Sequence, residues 1–306
     1  MVARGLAAPL VIGVDVGGTK ILAGIADRQG RVLAQHEIPS PTSSEEAVLE
    51  ALDAVVEELR DDRVEALGYG VPTNLDRASG KIIAGVNLPL TDVDLAGHAR
   101  ERFGLPVGVG NDASVAALAE ARLGAGRGSS SIVMLTLGTG VGGGVVLDGR
   151  LSRRWAELGH VVVQAGGPPC QGHCHGHGHL EAVASGTAAV RIARELYGPD
   201  ADAHTLLERA REGDPPAVER IAEMADLLGA AVGSFANVFD PDVFVIGGGF
   251  GEAAADLLLE RAQEAARREA LEPADQTLHI VPAELGSDAG LVGAALVAFE
   301  ALDGTW

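Results

Sequence analysis

The chain has 306 residues, nearly half of them apolar and only 3% aromatic, with 43 acidic against 23 basic side chains and a formal charge of −20. That length exceeds what one hydrophobic core usually serves, so two ordered lobes packed from Ala, Val and Leu are expected. The acidic balance repels phosphate backbones and anionic membranes, and no Lys/Arg cluster offsets it, which argues against nucleic-acid and membrane-surface partners.

From the N-terminus, an apolar run at 11–14 leads through DVGGTK (15–20) into ILAGIAD, the turn RQG and a third strand-like run, RVLAQHE. Asp15 interrupts the first run before any secretory pattern completes, so the chain reads as cytoplasmic. A helix over 47–60 follows, with Ser43 and Glu46 matching a capping box. ALGYGV (66–71) and LPVGV (105–109) are strand candidates, the latter leading through Gly110, Asn111 and Asp112 into a helix.

The opening pattern then recurs about 120 residues on: SIVMLTL, the glycine turn GTGVGGG (138–144), VVL, and the hairpin signal Asp148-Gly149 before RLS. The uncharged stretch 128–147 is long enough for a bilayer, but its glycines and two β-rich halves fit a buried hairpin better. The recurrence predicts two similar α/β lobes, each presenting one glycine turn. Helices near 187–197 and 216–238, the strand DVFVI, a helix over 252–271, the strand LHIVPA and a last helix from about Ala289 complete the second half.

GTGVGG (138–143) formally fits the dinucleotide fingerprint, yet strand rather than helix follows it, so that mechanism fails. GGTK (17–20) misses the Walker pattern. What remains is a hairpin turn stripped of side chains, twice, able to aim backbone N–H groups at a phosphate, with Asp15 as a Mg²⁺ partner. Ordinary tight turns are the plainer reading. IGGGFGE (246–252) is a strand-to-helix turn suited to a nucleotide, or simply a βα turn. Asn111 and Asp112 read as an N-cap pair, or Asp112 as a general base at a strand end.

Cys170, His173, Cys174, His175, His177 and His179 fall within ten residues and include both cysteines. Two cysteines this close among histidines are no disulfide framework. They are metal ligands, or a His-rich loop that binds metal adventitiously.

Taken together, DVGGTK, NLP (87–89), GND (110–112), LGTGVGGG (137–144), ELGH (157–160), the Cys/His segment ending LEAVASG, and AELGSDAGLVGAALVA (283–298) resemble the ROK family of sugar kinases. The matches keep the family's order and span about residues 10–300. The resemblance implies an actin-like, ribonuclease-H-like α/β fold of two domains, 1–118 with the helix 290–306 packing back on it, and 119–289, with ATP and a hexose in the cleft between them. It turns Asp15, Gly17, Gly18, Thr19 and Lys20, and Thr136, Gly138, Thr139 and Gly140, toward the triphosphate and Mg²⁺, and sets Gly247, Gly248 and Gly249 near the adenosine. Asn87, Asn111, Asp112, Glu157, His160 and Glu181 would line the sugar, with Asp112 as general base. A carboxylate of pKa ~3.9 is a weak base, sufficient when the hydroxyl proton leaves late.

The same resemblance implies a structural Zn²⁺ in segment 160–181, held by His160, Cys170, Cys174 and His179. Two departures from the family motif matter: three residues separate Cys170 and Cys174 where one is usual, and His179 replaces a cysteine. His173, His175 and His177 compete for the fourth position. Four protein ligands leave no coordination site for substrate, so the zinc would hold the loop and not react. The implied reaction is ATP-dependent phosphorylation of a hexose, glucose first. N-acetylmannosamine, N-acetylglucosamine and fructose kinases, and polyphosphate as donor, stay open. Homodimers or higher homo-oligomers are common in the family. A sugar-sensing repressor would need a DNA-binding module ahead of the first strand, and is not expected.

Overall fold

The computed structural model describes residues 8–76, 79–85, 88–172 and 174–306; Asn87 and His173 lie outside them. The chain opens with β1 (Leu10–Val16), β2 (Lys20–Ala26), β3 (Val32–Pro39), α1 (Glu45–Leu59) and β4 (Val64–Val71). Next come β5 (Thr73–Leu75), β6 (Ile82–Gly85), β7 (Thr91–Val93), α2 (Leu95–Phe103), β8 (Val107–Asn111) and α3 (Asp112–Leu123). The second half runs β9 (Ile132–Leu137), β10 (Val141–Leu147), β11 (Arg150–Leu151), α4 (Leu180–Ala184), α5 (Gly186–Tyr197), α6 (Ala203–Arg211) and α7 (Pro215–Phe239). It closes with β12 (Val243–Gly247), α8 (Gly249–Ala253), α9 (Ala255–Glu269), α10 (Ala274–Thr277), β13 (Ile280–Pro282) and α11 (Ala289–Leu302).

Two compact units result. One holds the residues up to Ala119 with Leu151–Trp155 and Asp288–Trp306; the other holds Glu120–Arg150 and Ala156–Ser287. Each is built on a five-stranded sheet of the same plan, β3-β2-β1-β4-β8 in one and β11-β10-β9-β12-β13 in the other. In both, the strand entering a glycine turn pairs antiparallel with the strand leaving it, and parallel with the next. The recurrence in the sequence is thus a recurrence of topology.

Several expectations shift in the structure. Ser44, not Ser43, caps α1: its hydroxyl accepts from the Ala47 N–H at 3.2 Å, which leaves Val48, Leu52, Val55 and Val56 facing inward. Of the run 138–144, only Gly138–Gly140 form the turn, while Gly142, Gly143 and Gly144 are ladder residues of β10 paired to Thr136, Leu135 and Met134. The helix expected over 252–271 is broken at Ala254 into α8 and α9. The break lets Phe250 and Gly251 stay against Leu137 and Ile246 while α9 lies along α7. The antiparallel sheet β5-β6-β7 and the helices α2, α4, α6 and α10 went unread. β5 to β7 are only three or four residues long, too short to show a period.

The long α7 is the one described helix of a length and composition that could cross a bilayer. Here its apolar side, including Ile221, Met224, Leu228 and Val232, is buried. Glu120 is fully buried yet satisfied: its side-chain oxygens accept the N–H groups of Ala125 (2.8 Å), Glu284 (3.2 Å) and Leu285 (2.8 Å).

The C-terminal α11 is apolar on nearly every side and lies flat on the first sheet. Backbone meets backbone there. A Cβ on Gly13 of β1 would strike the Leu291 carbonyl, and one on Gly68 of β4 would strike the Ala294 carbonyl. At Gly108 of β8 it would come within 2.8 Å of the Val297 carbonyl. Neither a central strand nor a buried helix can withdraw from such a clash. Gly68→Ala should therefore lower stability by at least ~1–3 kcal/mol, read as a shift of the urea or thermal midpoint; an unchanged midpoint would show that the helix seat yields.

Candidate functional site

In the first unit the chemistry gathers at the ends of β1, β4 and β8. Asp15 is the one partly exposed residue of β1, and Gly17 to Lys20 turn the chain back into β2, closed by the Gly17 N–H on the Lys20 carbonyl at 2.9 Å. Ser40 steadies the turn by donating to the Gly17 carbonyl at 2.6 Å. Asn111 ends β8 and caps α3, accepting the Ser114 N–H at 3.0 Å, and its amide donates to the Thr73 carbonyl at 3.3 Å. The capping role read for Asn111 is therefore real.

Asp112 opens α3, and its Oδ1 accepts its neighbour Ala113 N–H at 2.8 Å. Gly70 of β4 lies between the two acids: a Cβ there would be 3.7 Å from the Asp112 Cα and 3.9 Å from the Asp15 Oδ1. Burial, and next the charge of Asp112, push the Asp15 carboxyl up to about 7, with Lys20 opposing. A buried carboxyl beside a second acid favours a divalent cation, so Asp15 fits an oxygen donor of the kind Mg²⁺ takes beside substrate phosphates. Gly290, in the first turn of α11, completes the enclosure: a Cβ there would lie 2.5 Å from the Asp15 carboxyl carbon. Lys20 is engaged elsewhere, 2.7 Å from Glu37 on the neighbouring strand and exposed to solvent.

In the second unit two glycine turns sit side by side, because Thr136 of β9 and Gly247 of β12 are register partners. Gly248, at φ +82°, rests on Leu137: a Cβ there would meet the Leu137 carbonyl at 2.6 Å. The N-terminus of α5 packs on the first turn. The Gly186 N–H donates to the Gly138 carbonyl at 2.7 Å, and the Thr187 hydroxyl donates to the Thr139 carbonyl at 2.7 Å. From Thr187 a shallow cavity of about 530 Å³ extends along α5, lined by Val190, Arg191, Arg194, Glu195 and Pro199. Sequence reading missed this flank of the turn. The signal was the Ser185 N-cap with Gly186 and Thr187 behind it.

The Cys/His segment folds onto the same turn. His160, Cys170, Cys174 and His179 bring one ligand atom each to within 4.8 Å of one another. The His160 and His179 Nδ1 atoms are 3.3 Å apart, Cys170 Sγ is 3.6 Å from His160 Nδ1, and Cys174 Sγ is 3.5 Å from His179 Nδ1. A tetrahedron with Zn–N of ~2.05 Å and Zn–S of ~2.3 Å needs N–N edges of ~3.3 Å and N–S edges of ~3.6 Å, so the donor set fits zinc in both type and spacing. His175 and His177 are exposed and not in this cluster.

Burial pushes the Cys170 thiol up to about 11. The Gly176 N–H reaches Cys174 Sγ at 3.4 Å. The other ring nitrogen of His160 faces the Glu157 carboxylate at 3.9 Å, an outer-shell partner that suits Nδ1 ligation.

Two ties join this cluster to the glycine turn. Glu181 accepts the Val141 N–H at 3.0 Å through Oε2, while its Oε1 lies 3.7 Å from Cys170 Sγ. The Gln171 amide donates to the Glu181 carbonyl at 3.0 Å and to the Ser185 hydroxyl at 2.8 Å. Asn87, assigned to the sugar, lies outside the described residues.

Known proteins share this arrangement. The ROK family model matches residues 11–301. Glucokinase from Streptomyces coelicolor is 35% identical, the match covering 95% of this chain and 98% of that protein. N-acetylmannosamine kinase from Salmonella newport is 34% identical over 94% of this chain and 97% of its own. Among solved structures, a ROK family glucokinase from Streptomyces griseus in complex with glucose and AMPPNP has a TM-score of 0.80 at 35% identity, covering 95% of this chain and 99% of that one. The architecture is thereby the two-domain, actin-like α/β fold. A match across almost the whole length, on two sheets of one plan with a glycine turn in each, means that the chain belongs to the ROK family.

Proposed function

We propose that the chain transfers a phosphoryl group from ATP to glucose at its 6-hydroxyl, as one form of a phosphotransferase acting on a sugar hydroxyl. The observation that carries this reading is Asp112, held in the first turn of α3 next to a second carboxylate, Asp15, at the mouth of the Gly17–Lys20 turn. Phosphoryl transfer asks for positioning and charge neutralisation more than covalent chemistry. Asp112 takes the hydroxyl proton as the new P–O bond forms, and Asn111 and Asp112 offer an uncharged sugar fixed hydrogen-bonding groups on rigid elements.

Asn87, Glu157, His160 and Glu181 are assigned to the remaining sugar hydroxyls. Mg²⁺, held through Asp15, would neutralise charge on the transferred phosphate. Thr136, Gly138, Thr139 and Gly140 present backbone to the phosphates. Gly247, Gly248 and Gly249 and the cavity along α5 take the nucleoside. We assign zinc a holding role: His160, Cys170, Cys174 and His179 fill its coordination, and Glu181 and Gln171 pass the rigidity to the turn.

Turnover of a hexose panel that includes N-acetylmannosamine and N-acetylglucosamine, followed as ADP release, tests the assignment; glucose should lead in kcat/KM. Asp112→Asn should cut turnover by about 10²–10⁴ while calorimetry still detects sugar binding, and near-normal turnover would remove Asp112 from the chemistry. Elemental analysis should find about one zinc per chain. Cys174→Ala should lose that zinc together with affinity for both sugar and ATP; full activity after rigorous metal stripping, with Mg²⁺ restored, would refute the holding role. Arg194→Ala should raise the KM for ATP several-fold and leave the sugar KM alone.

A further inference from the structure

The strap Leu151–Trp155 belongs to the first unit although its neighbours on both sides in the chain belong to the second. Trp155 is its anchor. The indole N–H donates to the Leu75 carbonyl of β5 at 2.9 Å, while 52% of the residue stays exposed. An aromatic of this size left half in water is held for its polar tip more than for its buried area.

β5 is an edge strand of the small sheet. Its partner β6 takes one side, with Thr73 opposite Gly85 and Asn74 opposite Ala84. Between Asn74 and Leu75 the pairing shifts register, with Leu75 opposite Ile82. The Asn111 amide donates to the Thr73 carbonyl and the Trp155 indole to the Leu75 carbonyl. The Thr73 hydroxyl, itself buried, donates across to the Ala84 carbonyl at 2.6 Å. The strap has a second foothold: the Arg153 guanidinium stacks 4.6 Å from the Trp306 ring centroid. Trp306 packs on β8, where a Cβ on Gly108 would lie 3.2 Å from the indole and one on Gly110 3.6 Å. Asn111 and Asp112 follow Gly110 directly.

We infer that Trp155 is a positioning residue for the sugar. Its indole N–H pins the outer edge of β5, and through it the small sheet, to the strand end that presents Asn111 and Asp112. One tie thereby sets the spacing of β5 against Asn111 and Asp112, residues assigned to the hexose. Losing it loosens the sugar side while leaving the glycine turns of the second unit untouched. The inference rests on the sugar-kinase reading above.

The test uses the full-length protein. Trp155→Phe keeps an aromatic ring of smaller size and removes the N–H; Trp155→His, smaller still, restores a donor. The Phe variant should raise the hexose KM about 3- to 10-fold, the range for one neutral hydrogen bond, with the ATP KM and the melting midpoint unchanged. The His variant should recover much of the loss. Amide exchange in 73–76 and 79–85 should quicken in the Phe variant. An unchanged hexose KM with unchanged exchange, or an ATP KM rising in proportion, would overturn the inference. Wild-type protein that phosphorylates no hexose would sink the kinase reading instead, and the exchange measurement would still decide the tie.

Discussion

The contact on which the first unit depends is backbone against backbone: α11 laid on Gly13 and Gly68, with the Val297 side chain seated on Gly108. Burying an apolar helix on a sheet is worth having wherever the two can approach, because each buried CH₂ removes water-exposed surface. Here the approach is unusually close, and its consequences reach the site. The helix brings Gly290 against the Asp15 carboxyl, and its Gly293 faces the Val115 carbonyl in α3, the helix that starts at Asp112. Residues nearly three hundred positions apart thereby define one carboxylate pair. A larger side chain at 290 or 293 would move the acids before it touched any substrate.

The electrostatics answer how so acidic a chain takes an anionic donor. Its cations are mostly occupied at the surface: Lys20 by Glu37, Arg28 by Asp303, Arg261 by Asp226. Such exposed pairs contribute little to stability. On the proposed function the phosphates meet backbone at the glycine turns, and Mg²⁺ meets Asp15, a buried carboxyl beside a second acid that is costly to leave uncompensated.

In the second unit Glu181 carries two duties at once, one oxygen on the Val141 N–H and the other beside Cys170. The Cys/His cluster is accordingly continuous with the Gly138–Gly140 turn. Rigidity at the cluster becomes rigidity at the turn, since a half-buried carboxylate oxygen that loses its N–H partner loses part of its solvation as well. Three separations among the four ligand atoms match those of a tetrahedral zinc, so a zinc held there would supply such rigidity without reacting.

How much of this the sequence held depends on the range of each interaction. Local chemistry was legible. The Asp148-Gly149 hairpin shows φ of +51° and +72° at its two residues, and Asn111 does cap α3. The long buried strands and α11 follow from apolar runs, and the two glycine turns from composition. The segment with both cysteines was visibly a ligand store.

Three things were decided only by tertiary contact. Among the described histidines His175, His177 and His179, which one joins the cysteines is fixed by what the loop packs against. The one-residue shift of the α1 cap and the break at Ala254 are set by which face each helix must bury, a matter of partners and not propensity. The ties of Trp155 to Leu75 and of Glu181 to Val141 span 80 and 40 residues. Nothing along the chain marks such pairs, because a hydrogen bond between distant residues exists only after the core has brought them together.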